Sequence, residues 1–243
     1  METYFEKYLE GIKGIIFDYG GTIDTDGRHW SWVIWEAWQK AGVASTLPVF
    51  REAYVFGERE LARTLHILPY HDFHDLLLIK IKIELQWLAE QGGFPPAQID
   101  DFASKIANLC NEAARMSVEN AVPVLESLSV RYPLVLVSNF YGNINKVLET
   151  YGIRKYFKDI VESSVVGVRK PDPAIFRMGA EALELPTDEC VVVGDSFRKD
   201  IIPAREAGCK AIWLKGPGWS GEEDATDYPA TITNLSELVQ ILD

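Results

Sequence analysis

The sequence predicts an α/β protein: a parallel-sheet core with helices on both faces, into which an α-helical cap domain is inserted. Three observations predict it. Short apolar runs of strand length recur along the chain, helical stretches alternate with the later runs, and a long helical block separates the first run from the second. The runs are continuously apolar rather than alternating, as strands buried on both faces must be.

The first run, Gly14–Phe17, ends on Asp18, which Tyr19, Gly20 and Gly21 follow. From about Gly27 to Asn120 come four amphipathic stretches, His29–Ala41, Pro48–Leu65, Asp72–Gln91 and Pro96–Met116, with no strand between them. Gly92-Gly93 and Pro95-Pro96 punctuate this block, and Val118–Pro123 reads as the linker back to the core. Residues 1–26 and 119–243 are thus expected to form a Rossmann-like core, and residues 27–118 a helical cap. Trp32, Trp35 and Trp38 recur at helical spacing and read as the core of the helical block. The alternative is that part of this stripe, with Arg28, lines a pocket. Further strands are expected at Leu134–Ser138, Asp159–Val161, Cys190–Gly194 and Ala211–Leu214. Helices at Ile144–Tyr151, Ala174–Leu183 and Arg198–Ala207 separate them, the last stopped by Gly208.

Composition narrows the partners. With 36 acidic and 24 basic residues, a formal net charge of −12 repels nucleic acid and anionic lipid. The charged N-terminus METYFEKYLEGIKG lacks the layout of a signal peptide, and no apolar run approaches a membrane span, so a cytoplasmic protein is expected. Cys110, Cys190 and Cys209 have neither zinc-ligand nor disulfide-framework spacing and read as small buried hydrophobes.

Ligands of open parallel sheets bind outside the carboxyl ends of the strands, so the polar residues that follow each run are the candidate site. They are Asp18; Ser138 and Asn139; Asp195 and Ser196, with Asp200 one helical turn beyond; and Lys170 in GVRKPDPAIF. This set suits phosphoryl transfer. Carboxylates are oxygen ligands for Mg²⁺, Lys170, Ser138 and Asn139 offer donors to phosphate oxygens, and a carboxylate can attack phosphorus.

In order along the chain, FDYGGT (Phe17–Thr22), VSN (Val137–Asn139), GVRKPDPAIF (Gly167–Phe176) and VVVGDSFRKD (Val191–Asp200) resemble the motifs of the haloacid dehalogenase-superfamily hydrolases. The resemblance implies that Asp18 is a nucleophile forming an aspartyl-phosphate and that Ser138 and Lys170 bind the phosphoryl group. It further implies an Mg²⁺ site made by Asp18, the carbonyl of Gly20, Asp195 and Asp200. The family's second Asp, its acid/base, is replaced here by Gly20, which keeps only the carbonyl. Dehalogenases proper carry Tyr at that place and lack the last metal carboxylates; this chain keeps GDSFRKD and has its tyrosine one place early, at Tyr19. Phosphonatases carry a small residue there and use a cap lysine for a Schiff base, for which Lys40, Lys80, Lys82 and Lys105 are the candidates.

General acid-base help is worth about 10²–10⁴ in rate and matters most for poor leaving groups. Without a replacement acid, acyl and aryl phosphates should therefore turn over faster than alkyl phosphates. Asp24, Asp26 and His29, just past the Gly-Gly turn, are the candidate replacements; alternatively they only cap the turn and open a helix. The expected function is Mg²⁺-dependent hydrolysis of a small phosphorylated metabolite. A non-catalytic phospholigand-binding or regulatory protein, or a phosphonatase-like enzyme, is the alternative.

Overall fold

The structure is a computed structural model that describes residues 2–219 and 225–242. Six strands, β1 (Gly14–Phe17), β2 (Leu134–Ser138), β3 (Asp159–Glu162), β4 (Cys190–Gly194), β5 (Lys210–Leu214) and β6 (Thr231–Ile232), form one sheet in the order β3-β2-β1-β4-β5-β6. Every pairing is parallel. Ile15 faces Leu134 on one side and Val191 on the other, so β1 is central and the strand order reverses beside it. Ile15, Ile16, Phe17, Val135, Val192 and Val193 are wholly buried, which is why these strands are unbroken β-branched and aromatic runs.

Helices cover the sheet. Among the described residues outside the insertion, the α-helices are α1 (Glu2–Leu9), α6 (Ile144–Thr150), α7 (Ser163–Val166), α8 (Ala174–Leu183), α9 (Ile202–Ala207) and α10 (Glu237–Ile241). Between β1 and β2 run α2 (Trp30–Ala41), α3 (Leu47–Arg63), α4 (Phe73–Glu90) and α5 (Ile99–Arg131). His29 opens α2 by accepting the Ser31 N–H on its side chain, and Gly42 in the left-handed region closes it. A reciprocal capping box between Asp72 and Asp75 opens α4. Trp35 and Trp38 pack on Phe50 at ring-centroid distances of 5.2 and 5.1 Å, so this part of the tryptophan stripe is helical core.

The linker expected at Val118–Pro123 is helix instead: both residues lie inside α5, 33 residues long. Val118, Ala121, Val124, Leu125 and Leu128 continue one buried stripe straight through Pro123. Burying that stripe outweighs the lost hydrogen bond and the roughly 3 kcal/mol cost of an internal proline. A second difference lies at Arg198–Ala207, where a π-helical turn, Phe197–Ile201, precedes α9. α1, α10 and β6 were not expected, the last being only two residues long.

The chain leaves the core for the insertion through a tight neck. Gly27 has φ +88°, and a Cβ on Gly216 would lie 2.2 Å from the Gly27 carbonyl oxygen, so the two backbones touch where only glycine fits. The segment after β5 then ties onto the insertion: Pro217 O accepts from His29 N at 3.1 Å and Gly218 O from Trp32 Nε1 at 2.8 Å. The three cysteines are buried free thiols. Among the described residues no helix is long and apolar enough to cross a membrane.

Candidate active site

The carboxyl ends of β1, β2 and β4 place the predicted residues together. Asp18 follows β1, and its backbone N–H still bonds Val193 O at 2.9 Å, so the sheet fixes its position. Its side chain is buried; Oδ1 meets Lys170 Nζ at 2.5 Å and Oδ2 accepts from Thr22 Oγ1 at 3.0 Å. Lys170 Nζ also lies 2.7 Å from Asp200 Oδ1, so one buried ammonium bridges two carboxylates. Burial pulls this lysine's pKa down, but Asp18 and Asp200 more than offset it and hold the ammonium charged. Asp200 sits on the π-helical turn, where its Oδ2 accepts the Ser196 N–H at 3.0 Å.

Asn139 stands beside the lysine in an unexpected capacity. Its Oδ1 accepts from Lys170 N at 2.9 Å and its Nδ2 donates to Lys170 O at 3.1 Å, so the amide clamps the lysine's backbone. Ser138, the buried last residue of β2, lines the cavity next to it. Thr22 was not singled out from the sequence, although FDYGGT contains it; its hydroxyl lies 3.0 Å from Asp18 and 3.4 Å from Asp195.

Asp18, Asp195 and Asp200 present carboxylate oxygens all within 4.8 Å of one another. Burial, then the charges of Asp18 and Asp200, push the Asp195 carboxyl well above its usual range, and burial likewise raises Asp18. Three carboxylates against one lysine leave excess negative charge that a hard divalent cation would neutralise. The turn is shaped for such crowding: Gly21 has φ +101°, and a Cβ there would come within 2.3 Å of Asp195 Oδ2. The residues present therefore fit a cation held by oxygen ligands.

Above them lies a cavity of about 1050 Å³, lined by Asp18, Gly20, Ser138, Lys170, Asp195 and Asp200 from below and by α2, α3 and α4 residues from above. Of the candidate replacement acids, Asp24 and His29 line it. Asp26 does not, and instead accepts the Leu235 N–H at 2.9 Å. Trp30 lines the cavity, whereas Arg28 pairs with Glu36 at the surface. Of the four lysines of the insertion, only Lys80 is among the lining residues; Lys82 pairs with Asp100 and Lys105 donates to Ala41 O. Lys80 is buried, pairs with Glu58, lies 4.0 Å from the buried Glu84, and stacks 4.2 Å over the Tyr54 ring. Tyr141, from the loop after β2, donates to Glu58 at 3.1 Å and so joins the core to this cluster. No local pattern in the sequence marks Lys80, Glu58 and Tyr141 as neighbours.

An open parallel sheet in the order β3-β2-β1-β4-β5-β6, with an acidic, lysine-bridged site at its carboxyl edge and inserted helices above, defines a Rossmann-like α/β protein. Residues 12–208 match the family model of the haloacid dehalogenase-like hydrolases, and the chain belongs to that family. It is 40% identical over 93 residues to a glyceraldehyde 3-phosphate phosphatase of Methanocaldococcus jannaschii, covering 37% of this chain and 40% of that one. It is 28% identical over 158 residues to a pyrimidine 5'-nucleotidase of Escherichia coli, covering 63% and 67% respectively. The chain spans about half or less of the length of several other curated relatives, a phosphoglycolate phosphatase of Vibrio parahaemolyticus among them. The fold is that of a magnesium-bound hydrolase of the same family from Bacillus subtilis, with a TM-score of 0.59 at 19% identity over 96% of this chain and 99% of that one.

Proposed function

We propose that this chain is a Mg²⁺-dependent phosphohydrolase of small phosphorylated metabolites, working through an aspartyl-phosphate on Asp18. The observation that carries the reading is the buried Asp18 carboxylate, oriented by Lys170 and Thr22 at the floor of a roofed cavity beside two further carboxylates. Asp18, Asp195, Asp200 and the Gly20 carbonyl would hold Mg²⁺, which supplies positive charge to the phosphoryl oxygens. Lys170 offsets charge on the same oxygens, the Ser138 hydroxyl donates to one of them, and Asn139 keeps Lys170 in place through its backbone. An Asp18 oxygen attacks phosphorus while the bond to the leaving oxygen breaks; water then attacks the phosphorus of the acyl phosphate and frees Asp18. Residues 27–118 act as the cap that keeps bulk water out during transfer.

Phosphate release should be measured with Mg²⁺ and with EDTA across acyl, aryl and sugar phosphates, together with mass detection of a phosphoryl adduct on the Asp18 peptide. Release that needs Mg²⁺ and vanishes in Asp18→Asn is the expected result; release surviving Asp18→Asn overturns the mechanism. Phosphate binding with no adduct and no turnover would mark a phospholigand-binding protein instead.

One observation favours a phosphonatase-like reading. Burial, opposed by Glu84, brings Lys80 down to about 8, so a share of this cavity-lining amine is uncharged near neutrality, as imine formation requires. Borohydride trapping of a phosphonoaldehyde on Lys80 would establish it, and the absence of any adduct under turnover conditions would remove it.

A further inference from the structure

A phosphoryl group passes easily to a carboxylate only if the oxygen it leaves can carry away the electron pair, and an alkoxide cannot do so without a proton. Two residues past Asp18 no carboxyl stands to give one, because Gly20 has no side chain: a Cβ built there meets nothing within 4 Å. The space beside Gly20 opens into the cavity, which Gly20 itself lines.

We infer that Asp24 fills this role: it protonates the leaving group and then takes a proton from the hydrolytic water, acting from one turn further along the chain. This rests on the phosphohydrolase reading above. Asp24 is wholly buried yet lines the same cavity as Asp18 and Gly20. Its carboxyl is pinned at both ends, Oδ1 accepting the Gly21 N–H at 2.7 Å and Oδ2 accepting the Trp30 Nε1–H at 2.9 Å. The first bond sets the carboxyl against the peptide that follows Gly20, and the second fixes its orientation from the first residue of α2.

The surroundings suit an acid. Asp18 and Asp195 face Asp24 from the ends of β1 and β4, and the phenols of Tyr19, Tyr54 and Tyr151 face it from the turn, from α3 and from behind α6. None of these groups is a cation. Burial, resisted by the two hydrogen bonds and reinforced by Asp18, raises the Asp24 carboxyl to about 8, so it carries its proton at neutral pH. The other candidates are poorer. Asp26 is committed to Leu235 N and lies outside the cavity lining. His29 accepts the Ser31 N–H on Nδ1, and burial with the charges of Lys199, Lys80 and Arg51 keeps it neutral down to about 3, so it would have to become an anion to give up its remaining proton.

The steps balance. As the Asp18 oxygen bonds to phosphorus, the bond from phosphorus to the leaving oxygen breaks and the Asp24 proton moves to that oxygen. In the second step water oxygen bonds to phosphorus, the bond to Asp18 breaks, and the water proton returns to Asp24.

The test is a leaving-group series with Mg²⁺ in Asp24→Asn, which keeps the size of the side chain. The rate of aspartyl-phosphate formation from alkyl phosphates should fall about 10²–10⁴-fold, while that from aryl and acyl phosphates stays within several-fold of the unaltered protein and hydrolysis of the aspartyl-phosphate slows equally for all. Adding Gly20→Asp to Asp24→Asn should restore alkyl-phosphate turnover at least about tenfold, since the space for that side chain is open. Equal losses in the rate of aspartyl-phosphate formation for every leaving group would show that Asp24 only builds the turn, and no loss in either step would also overturn the inference. Aspartyl-phosphate formation from an acyl phosphate reports whether the variant site is intact, and Trp30→Phe, which removes one anchoring bond and leaves the carboxyl, should produce a smaller loss with the same leaving-group bias. If the unaltered protein forms no aspartyl-phosphate, the phosphohydrolase reading falls and this inference with it; adduct formation with a flat leaving-group response in Asp24→Asn overturns this inference alone.

Discussion

The cavity has a buried lysine between two carboxylates on its floor and another in its roof, and the two differ in charge state. Lys170 is within 2.5 and 2.7 Å of Asp18 and Asp200, and they hold its ammonium charged despite burial. Lys80 pairs directly with the partly exposed Glu58 and has the buried Glu84 only at 4.0 Å, and burial wins, lowering it to about 8. The interaction of charges falls with distance and rises as water is excluded: both partners of Lys170 are close and buried, whereas the close partner of Lys80 is partly exposed to solvent and its buried partner stands farther off. The floor is a fixed electrostatic frame, while the roof is poised close to exchanging a proton. Under the proposed function, that division suits a phosphoryl site that must not vary beneath a wall that meets variable parts of a substrate.

Four measurements can break or sharpen this contrast. The largest effect is expected from Lys170→Met, which strips three clustered carboxylates of their cation. It should cost about 3–5 kcal/mol in urea denaturation without Mg²⁺, with Mg²⁺ recovering part of the loss. Lys80→Met should cost less, about 1–3 kcal/mol, because Glu84 can meet the loss by keeping a proton. An equal or larger cost at Lys80 would erase the distinction.

Glu84→Gln reads the roof by pH. Burial, opposed by Lys80, raises the Glu84 carboxyl to about 7 in the folded chain, above its unfolded value of about 4.3. The folded state therefore binds more protons across that window, and stability falls as pH rises from about 4 to about 7. Glu84→Gln should flatten the slope and gain about 1–2 kcal/mol at pH 8 relative to pH 5, as thermal melts at the two pH values would show. The smallest effect is expected from Tyr141→Phe, which cuts the bridge from the core to Glu58. Stability should change by less than about 1 kcal/mol, while KM rises several-fold with kcat nearly constant if this bridge shapes the closed cavity.

The floor was legible in the sequence because a parallel sheet delivers the residues after its strands to one edge. Gly14–Phe17, Leu134–Ser138 and Cys190–Gly194 have the expected bounds, and Asp18, Ser138 and Asp195 come together for that reason. Lys170 was legible from its motif, but the use of Asn139 was not: an amide that clamps a backbone looks the same in sequence as one aimed at a ligand. The roof was not legible. Lys80, Glu58 and Tyr141 are brought together by helix packing and a loop, and only packing reveals which of four lysines turns inward. At Pro123 a strong local breaker lost to a continuous buried stripe, so a rule that holds for single residues failed over 33 of them.

The contact of Gly27 with Gly216 limits how this protein could be recombined with others. The route into the helical insertion and the exit from β5 share one backbone-to-backbone crossing with no room for a methyl group. A transplanted insertion joined at the β1 turn would meet the old β5 exit and clash with it unless its own residues there matched. The unit of exchange is therefore discontinuous, the helices between β1 and β2 together with the 216–219 segment, and chimaeras cut by sequence alone would carry half of it.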